Sequence, residues 1–250
     1  MWSRGRAFDY DGGMETQPEG VAAAKPKRRW FQFSLAKLLL LMLVCAVVLA
    51  MFVAPAERQH RAVEYIESLG GSVQYGNEGD EPAFVPTRLR EWPGQDCFHS
   101  VKMVRLNGSL VCDSGLAHLE GLTALRRLDL SYTQVSNAGL AHLKGLTALE
   151  SLTLHNTEVS NAGLSYLKGL TALESLTLGD TQVSDSGLAH LEGLTALEWL
   201  DLSFTQVSDA GLAHLKRLTA LELLNLYGAQ VSETGITELR AALPNCVIDY

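Results

Sequence analysis

Four cysteines in 250 residues are too few for a disulfide-stapled mini-scaffold. Basic residues are scarce where most of the chain lies. Residues 62–250 hold 11 Lys/Arg against 23 Asp/Glu, a net charge of −12, whereas residues 1–61 hold 9 against 5, a net of +4. An acidic body lacks the basic stripe that carries most nucleic-acid affinity, which excludes nucleic acid as the partner. The short motifs of common enzyme chemistry are missing as well. There is no G-x-S-x-G, G-x-G-x-x-G, phosphate loop, H-E-x-x-H or C-x-x-C. Charged residues make up 19% and hydrophobic residues 47%, which excludes a disordered chain.

One apolar run stands out near the N-terminus. From Leu38 to Ala54 the chain has 17 residues without a charge, and Lys37 is the only charge in the run extended back to Leu35. About 20 helical residues cross a bilayer core, and a lysine near the end can snorkel. No polar face can be drawn on the run, which argues against a buried core helix. Lys25, Lys27, Arg28 and Arg29 precede it, followed by Trp30, Phe31 and Phe33 at headgroup level. The positive-inside rule then places residues 1–32 as a disordered basic tail in the cytoplasm, residues 33–54 as a signal-anchor helix in the cytoplasmic membrane, and the rest outside. Ala54-Pro55-Ala56 has the small-x-small pattern of a cleavage site, so a cleaved signal peptide competes with the retained anchor.

The rest of the chain repeats with a period of 24 residues. GLAHLEGLTALRRLDLSYTQVSNA (115–138) is followed by near copies beginning at Gly139, Gly163, Gly187 and Gly211. A degenerate copy precedes them and a last one ends at Ile248. Alternation such as Ser151-Leu152-Thr153-Leu154 marks a short strand with one buried face. Strands are expected at 104, 128, 152, 176, 200, 224 and 248, forming one parallel sheet about 29 Å across at ~4.8 Å per step. Ser160 is expected to cap a helix starting near Asn161, with Leu164 and Leu167 inward and Gly169 ending it in a left-handed turn. Thr133, Thr157, Thr181 and Thr205 form a column whose hydroxyls are expected to satisfy the turn after each strand. Ala229 and Arg217 mark a less regular last repeat. Residues 55–100 are a linker and N-terminal cap. In them a helix is expected over 57–69, a strand over 72–75, a loop over 76–87 and a helical turn over 89–92.

The pattern L-x-x-L-x-L-x-x-T-x-V, as in Leu149, Leu152, Leu154, Thr157 and Val159, closely resembles the leucine-rich repeat. The resemblance covers residues 101–250. With Thr in the usual Asn position and S-[ND]-[AS]-G-L opening each helix, it is similar to bacterial repeats and to the F-box-linked type, although no F-box-like segment is present. The layout resembles membrane-anchored bacterial repeat proteins, most of which have no assigned activity. The resemblance implies an α/β solenoid with a parallel sheet on the concave face and helices on the convex face. It also implies a non-catalytic role in binding protein or peptide, with no cofactor.

Candidate site residues come from comparing the copies. Convex and core positions hardly change, while exposed strand positions change greatly: Arg127, Ser151, Ser175, Trp199, Leu223 in one column and Asp129, Thr153, Thr177, Asp201, Asn225 in the next. Two further columns run Ser131, His155, Gly179, Ser203, Tyr227 and Tyr132, Asn156, Asp180, Phe204, Gly228. Trp199, Asp201, Phe204, Leu223, Asn225 and Tyr227 form a partner-binding candidate, exposed aromatics ringed by polar groups. Packing against the C-terminal cap is the competing reading. Glu150, Glu174, Glu198 and Glu222 form a carboxylate row for a cation or basic partner, against a plain solvated row. His118, His142, His190 and His214 supply one ring per copy and are read as convex polar residues, with no metal. Cys97 and Cys112 bracket the first repeat and could pair, while Cys246 lies too far away. Two rivals to protein recognition stand: an envelope component binding ions or polysaccharide, and an adaptor of a degradation or signalling complex.

Overall fold

The computed structural model describes residues 35–48, 54–76 and 100–250. Helix α1 (Leu35–Val48) is a single element of 14 residues, about 21 Å long at 1.5 Å per residue. That is shorter than the expected span over residues 33–54. Among the described residues no helix is long and apolar enough to cross a membrane. Positions 33, 34 and 49–53 of the expected span lie outside the described residues. Within α1 every side chain from Lys37 to Val47 is exposed, including Leu38 to Val44 in unbroken series.

The repeat domain opens with α2 (Ala54–Ser68) and β1 (Ser72–Tyr75), close to the expected cap elements. Ala62, Val63 and Ile66 are buried and Leu69 packs against the same core. Gly70 takes a left-handed φ of 76° and turns the chain into β1. β1 pairs antiparallel with β2 (Val101–Arg105), closing one end of the sheet. Tyr65 of α2 stacks on His118 at 4.3 Å between ring centroids, tying the cap to the first repeat. The expected loop over 76–87 and helical turn over 89–92 lie outside the described residues, apart from Gly76, whose amide bonds the Ser100 carbonyl.

From β2 onward the sheet is parallel and strictly in register. The order runs β2, β3 (Arg127–Asp129), β4 (Ser151–Thr153), β5 (Ser175–Thr177), β6 (Trp199–Asp201), β7 (Leu223–Asn225), β8 (Val247–Asp249). Val104, Leu128, Leu152, Leu176, Leu200, Leu224 and Ile248 are successive partners. All seven are buried, as the periodicity requires. A single repeat cannot cover its own leucines, so burial is achieved only by stacking.

The convex layer is thinner than expected. Each of α3 (Asp113–Leu116), α4 (Asn137–Leu140), α5 (Asn161–Leu164) and α6 (Asp185–Leu188) is one α-turn. Tighter 3₁₀ turns continue the first three, as at Ser165–Gly169. The chain then leaves by consecutive three-residue closures, Leu170 N to Leu167 O and Leu173 N to Leu170 O. No left-handed residue is needed there, so Gly169 does not end a helix in that way. Gly145, Gly169 and Gly193 have open space where a Cβ would stand. Glycine is not required at these three positions, which accounts for Arg217 in the last copy, whereas at Gly121 a Cβ would stand 3.2 Å from Arg58 Cβ. The last full repeats are less regular, with continuous helices α7 (Asp209–Leu215) and α8 (Glu233–Ala242).

The threonine column behaves as expected. Thr133, Thr157, Thr181 and Thr205 are buried, and each hydroxyl donates to the carbonyl three residues back at 2.6–2.7 Å. Ser109 starts the column with a 2.6 Å bond to Leu106 O, in the turn where Gly108 has φ 65°. Thr157→Val keeps the shape but leaves the buried Leu154 carbonyl without this donor. It should cost about 1–2 kcal/mol, read as a lowered urea midpoint at unchanged slope.

A second ladder was not expected. The residue after each repeat serine reaches across to the next repeat. Asn137 Oδ1 accepts from Ser160 N at 2.9 Å and from Gly163 N at 3.0 Å, and its Nδ2 donates to Ser160 Oγ. Asp113, Asn161, Asp185 and Asp209 serve Ser136, Ser184, Ser208 and Ser232 likewise. Ser160 therefore does not cap its own helix, because its hydroxyl is held by Asn137. The Ser232 hydroxyl and amide hold the Asp209 carboxyl below the usual range.

Candidate functional site

Three features shape the concave face: strand side chains that alternate outward, the turn after each strand, and the middle strands with small residues. Half-buried Ser151, Thr153, Ser175 and Thr177 floor strands β4 and β5. Larger side chains rise on either side.

The C-terminal side carries the candidate patch. Trp199 is 49% exposed, Leu223 37%, Phe204 57% and Tyr227 61%. Trp199 and Leu223 are register partners, and Val247 extends the stripe onto β8 at 59% exposure. Phe204 and Tyr227 meet edge to face, with centroids 5.4 Å apart. Asp201 and Asn225 lie between the two apolar groups, each accepting from the backbone two residues on, at Ser203 N and Tyr227 N. The structure thus brings all six candidate residues onto two neighbouring strands and their turns. The cap formed by α8 and β8 leaves the aromatic ones uncovered, so packing against that cap does not account for them.

The turns add a constraint that the sequence reading missed. Tyr132, Asn156, Asp180 and Phe204 have left-handed backbones with φ of 51–58°. Gly108 and Gly228 occupy the same repeat position with φ of 65° and 73°. From Gly108 to Phe204 each amide is fixed there by the next repeat's carbonyl, as in Tyr132 N to His155 O and Phe204 N to Tyr227 O. Glycine, asparagine and aspartate suit this conformation. Tyrosine and phenylalanine do not, and each costs roughly 1–2 kcal/mol relative to glycine. The Gly and Asx residues in the column were the available signal.

The carboxylate row steps one strand at a time, with Glu174 N on Glu150 O, Glu198 N on Glu174 O and Glu222 N on Glu198 O. Glu150 is paired with Arg126 at 3.0 Å. Glu174, Glu198 and Glu222 are exposed. Beside the start of the row lies an open depression of about 220 Å³ lined by Gln74, Tyr75, Lys102, Arg126, Arg127 and Glu150. Among the described residues no three His, Cys, Asp or Glu side chains converge to hold a metal.

The convex histidines are absorbed by the fold. His142 bonds Glu120 at 2.6 Å and His214 bonds Glu192 at 2.7 Å, each across one repeat step. Burial, then the nearby Lys168 charge, lower the pKa of His190. Cys112 is an exposed free thiol whose pKa is lowered chiefly by the Ser114 hydroxyl, and Cys246 is buried. Cys97 lies outside the described residues.

The family described as Leucine rich repeat matches residues 147–207 and, in a second form, residues 121–143. No curated protein matches the sequence. Similar solved structures include the following three. A leucine-rich-repeat protein of Leptospira interrogans is 21% identical with a TM-score of 0.45, over 54% of this chain and 33% of that one. Internalin C2 of Listeria monocytogenes is 22% identical with a TM-score of 0.46, over 62% and 71%. An internalin F of the same organism is 22% identical with a TM-score of 0.46, over 65% and 52%. This chain therefore spans about a third of the Leptospira protein and about half of internalin F. Residues 121–143 and 147–207 are therefore leucine-rich repeats, and the same 24-residue step and parallel sheet run on either side of them.

Proposed function

We propose that this protein is a non-catalytic recognition module that holds a protein partner on the C-terminal half of its concave face. Trp199 and Leu223 form the anchor, Phe204 and Tyr227 the second contact, and Asp201 and Asn225 the polar group between them. One observation carries the reading. Phe204 holds an exposed aromatic ring on a left-handed backbone where glycine would fold at lower cost. A residue kept against local stability on an uncovered face fits a role in binding.

The same proposal places the protein on a membrane. The apolar, fully exposed face of α1 and the basic residues 25–29 support a single anchor over residues 33–54, N-terminus inside, with the repeats on the extracytoplasmic side.

The test is capture from detergent-solubilised envelope with the full chain and with Trp199→Ala/Leu223→Ala. A partner held by the first and lost by the second supports the reading. Equal recovery by both, with both folded, overturns it.

A further inference from the structure

Three side chains lean over Gly179 in the turn after β5, and among the described residues each keeps a polar atom without a hydrogen-bond partner. A Cβ built on Gly179 would lie 2.7 Å from Ser203 Oγ, 2.8 Å from His155 Nδ1 and 3.3 Å from Asp201 Oδ2. Asp201 spends its other oxygen, Oδ1, on the Ser203 amide at 2.9 Å. In the matching position of an earlier repeat, Ser131 Oγ donates to Asp129 Oδ1 at 2.7 Å, a bond that Ser203 does not make. Among the described residues the His155 ring has only an edge contact with Tyr132, at 5.1 Å between centroids. Next to Gly179, Asp180 holds the Asn156 amide at 3.1 Å and has no ion pair among the described residues. One carboxylate oxygen without a cation, Asp201 Oδ2, thus borders a notch lined by a hydroxyl and an imidazole, with Asp180 next along the chain.

We infer that this notch binds a primary ammonium group, the lysine side chain of a partner protein; the inference rests on the concave face being a recognition surface. An ammonium brings three N–H donors and no acceptor. The notch offers a carboxylate oxygen, a hydroxyl oxygen and an imidazole nitrogen, converging from the two neighbouring repeats onto the turn of the one between them. The nitrogen sits farther out than a Cβ would, on the solvent side of the same three atoms. Charge selects the same ligand, because the free Oδ2 of Asp201 supplies a negative partner. A divalent metal is a poorer occupant, since no three metal-ligating side chains converge among the described residues. Gly179 and Ser203 are buried while His155, Asp201 and Thr177 are half-buried, so the ammonium reaches the three polar atoms from the solvent side.

The experiment uses the full chain in detergent micelles with ¹³C-labelled histidine. The ring signal of His155 is assigned by its loss in His155→Gln. Nα-acetyl-lysine methylamide should shift that signal to saturation, with a midpoint on the order of millimolar for so small a probe. Nα-acetyl-norleucine methylamide, equal in stem but uncharged, should not. Asp201→Asn keeps Oδ1 for the Ser203 amide and should raise the midpoint about tenfold. Gly179→Ala should abolish the saturable shift. The Cβ displaces only the ends of two flexible side chains, and the other histidine signals report that the fold is intact. Absence of a saturable shift, an equal shift with norleucine, or unchanged midpoints in both variants overturns the proposal. The probe needs no natural partner. Failure here alongside capture that depends on Trp199 and Leu223 removes the notch and leaves the recognition surface standing.

Discussion

Gly163→Ala should destabilise the repeat domain by about 3 kcal/mol, whereas Gly145→Ala, 18 positions earlier, should leave it unchanged or slightly more stable. Both glycines lie on the convex side of the stack. At Gly163 a Cβ would stand 2.5 Å from Asn137 Oδ1, 3.0 Å from Leu140 Cδ1 and 3.3 Å from the Asn137 backbone. The Asn137 oxygen is bonded to both Ser160 N and Gly163 N, so moving it leaves two part-buried donors poorly served. Overpacking costs roughly 1–3 kcal/mol, and an unsatisfied buried donor adds about as much. Gly145 meets nothing within 4 Å and its backbone is not left-handed. Alanine there restricts only the unfolded chain, a gain of about 0.4–1 kcal/mol. Urea unfolding of the two variants, side by side, reads both effects. Equal midpoints would show that the Asx-to-serine ladder contributes nothing to the stacking of repeats.

The second large effect is on recognition. Trp199→Ala with Leu223→Ala should weaken partner binding by about 3 kcal/mol, roughly a hundredfold, with the folding midpoint unchanged. Both side chains sit on strands whose inward neighbours, Leu200 and Leu224, are fully buried and untouched by the change. The outward side chains make no hydrogen bond among the described residues and are 49% and 37% exposed. Their removal therefore costs little in the free protein. In a complex, an aromatic anchor that is fully desolvated typically carries 2 kcal/mol or more, and two adjacent anchors act together.

The fold was legible because its leucines report one thing only. A leucine at 128, 152, 176, 200 and 224 satisfies a buried strand, and the 24-residue step leaves no other register. Gly169 was misread because glycine at the end of a helical turn has two causes, a left-handed backbone or merely an unused exposed position. Only the three-residue closures that follow it decide between them. The true left-handed column was masked by Tyr132 and Phe204, two residues that disfavour it. The Asx ladder joins side chains 23 residues apart, so no local window contains it. The helix over the apolar run is described only for Leu35–Val48, less than the hydropathy of the sequence alone would assign.

The candidate patch was legible to the extent that variation between copies marks the concave face. Its exposure was not, since a cap could have covered Trp199. The notch at Gly179 is absent from any motif. It arises where one column lacks a side chain and its neighbours in the turns of both flanking repeats, His155 and Ser203, lie against the gap. Read down the column, His155, Gly179 and Ser203 are only variable positions. Read across the sheet, they are adjacent.

The most direct test is hydroxyl-radical footprinting of the captured complex against the free chain. Trp199, Phe204 and Tyr227 are exposed aromatic rings on the concave face, and Tyr166 is a half-buried ring on the convex one. Oxidation of the three concave rings should fall several-fold in the complex while that of Tyr166 stays constant. Unchanged oxidation of Trp199, Phe204 and Tyr227 with protection of Tyr166 would contradict recognition through the concave face.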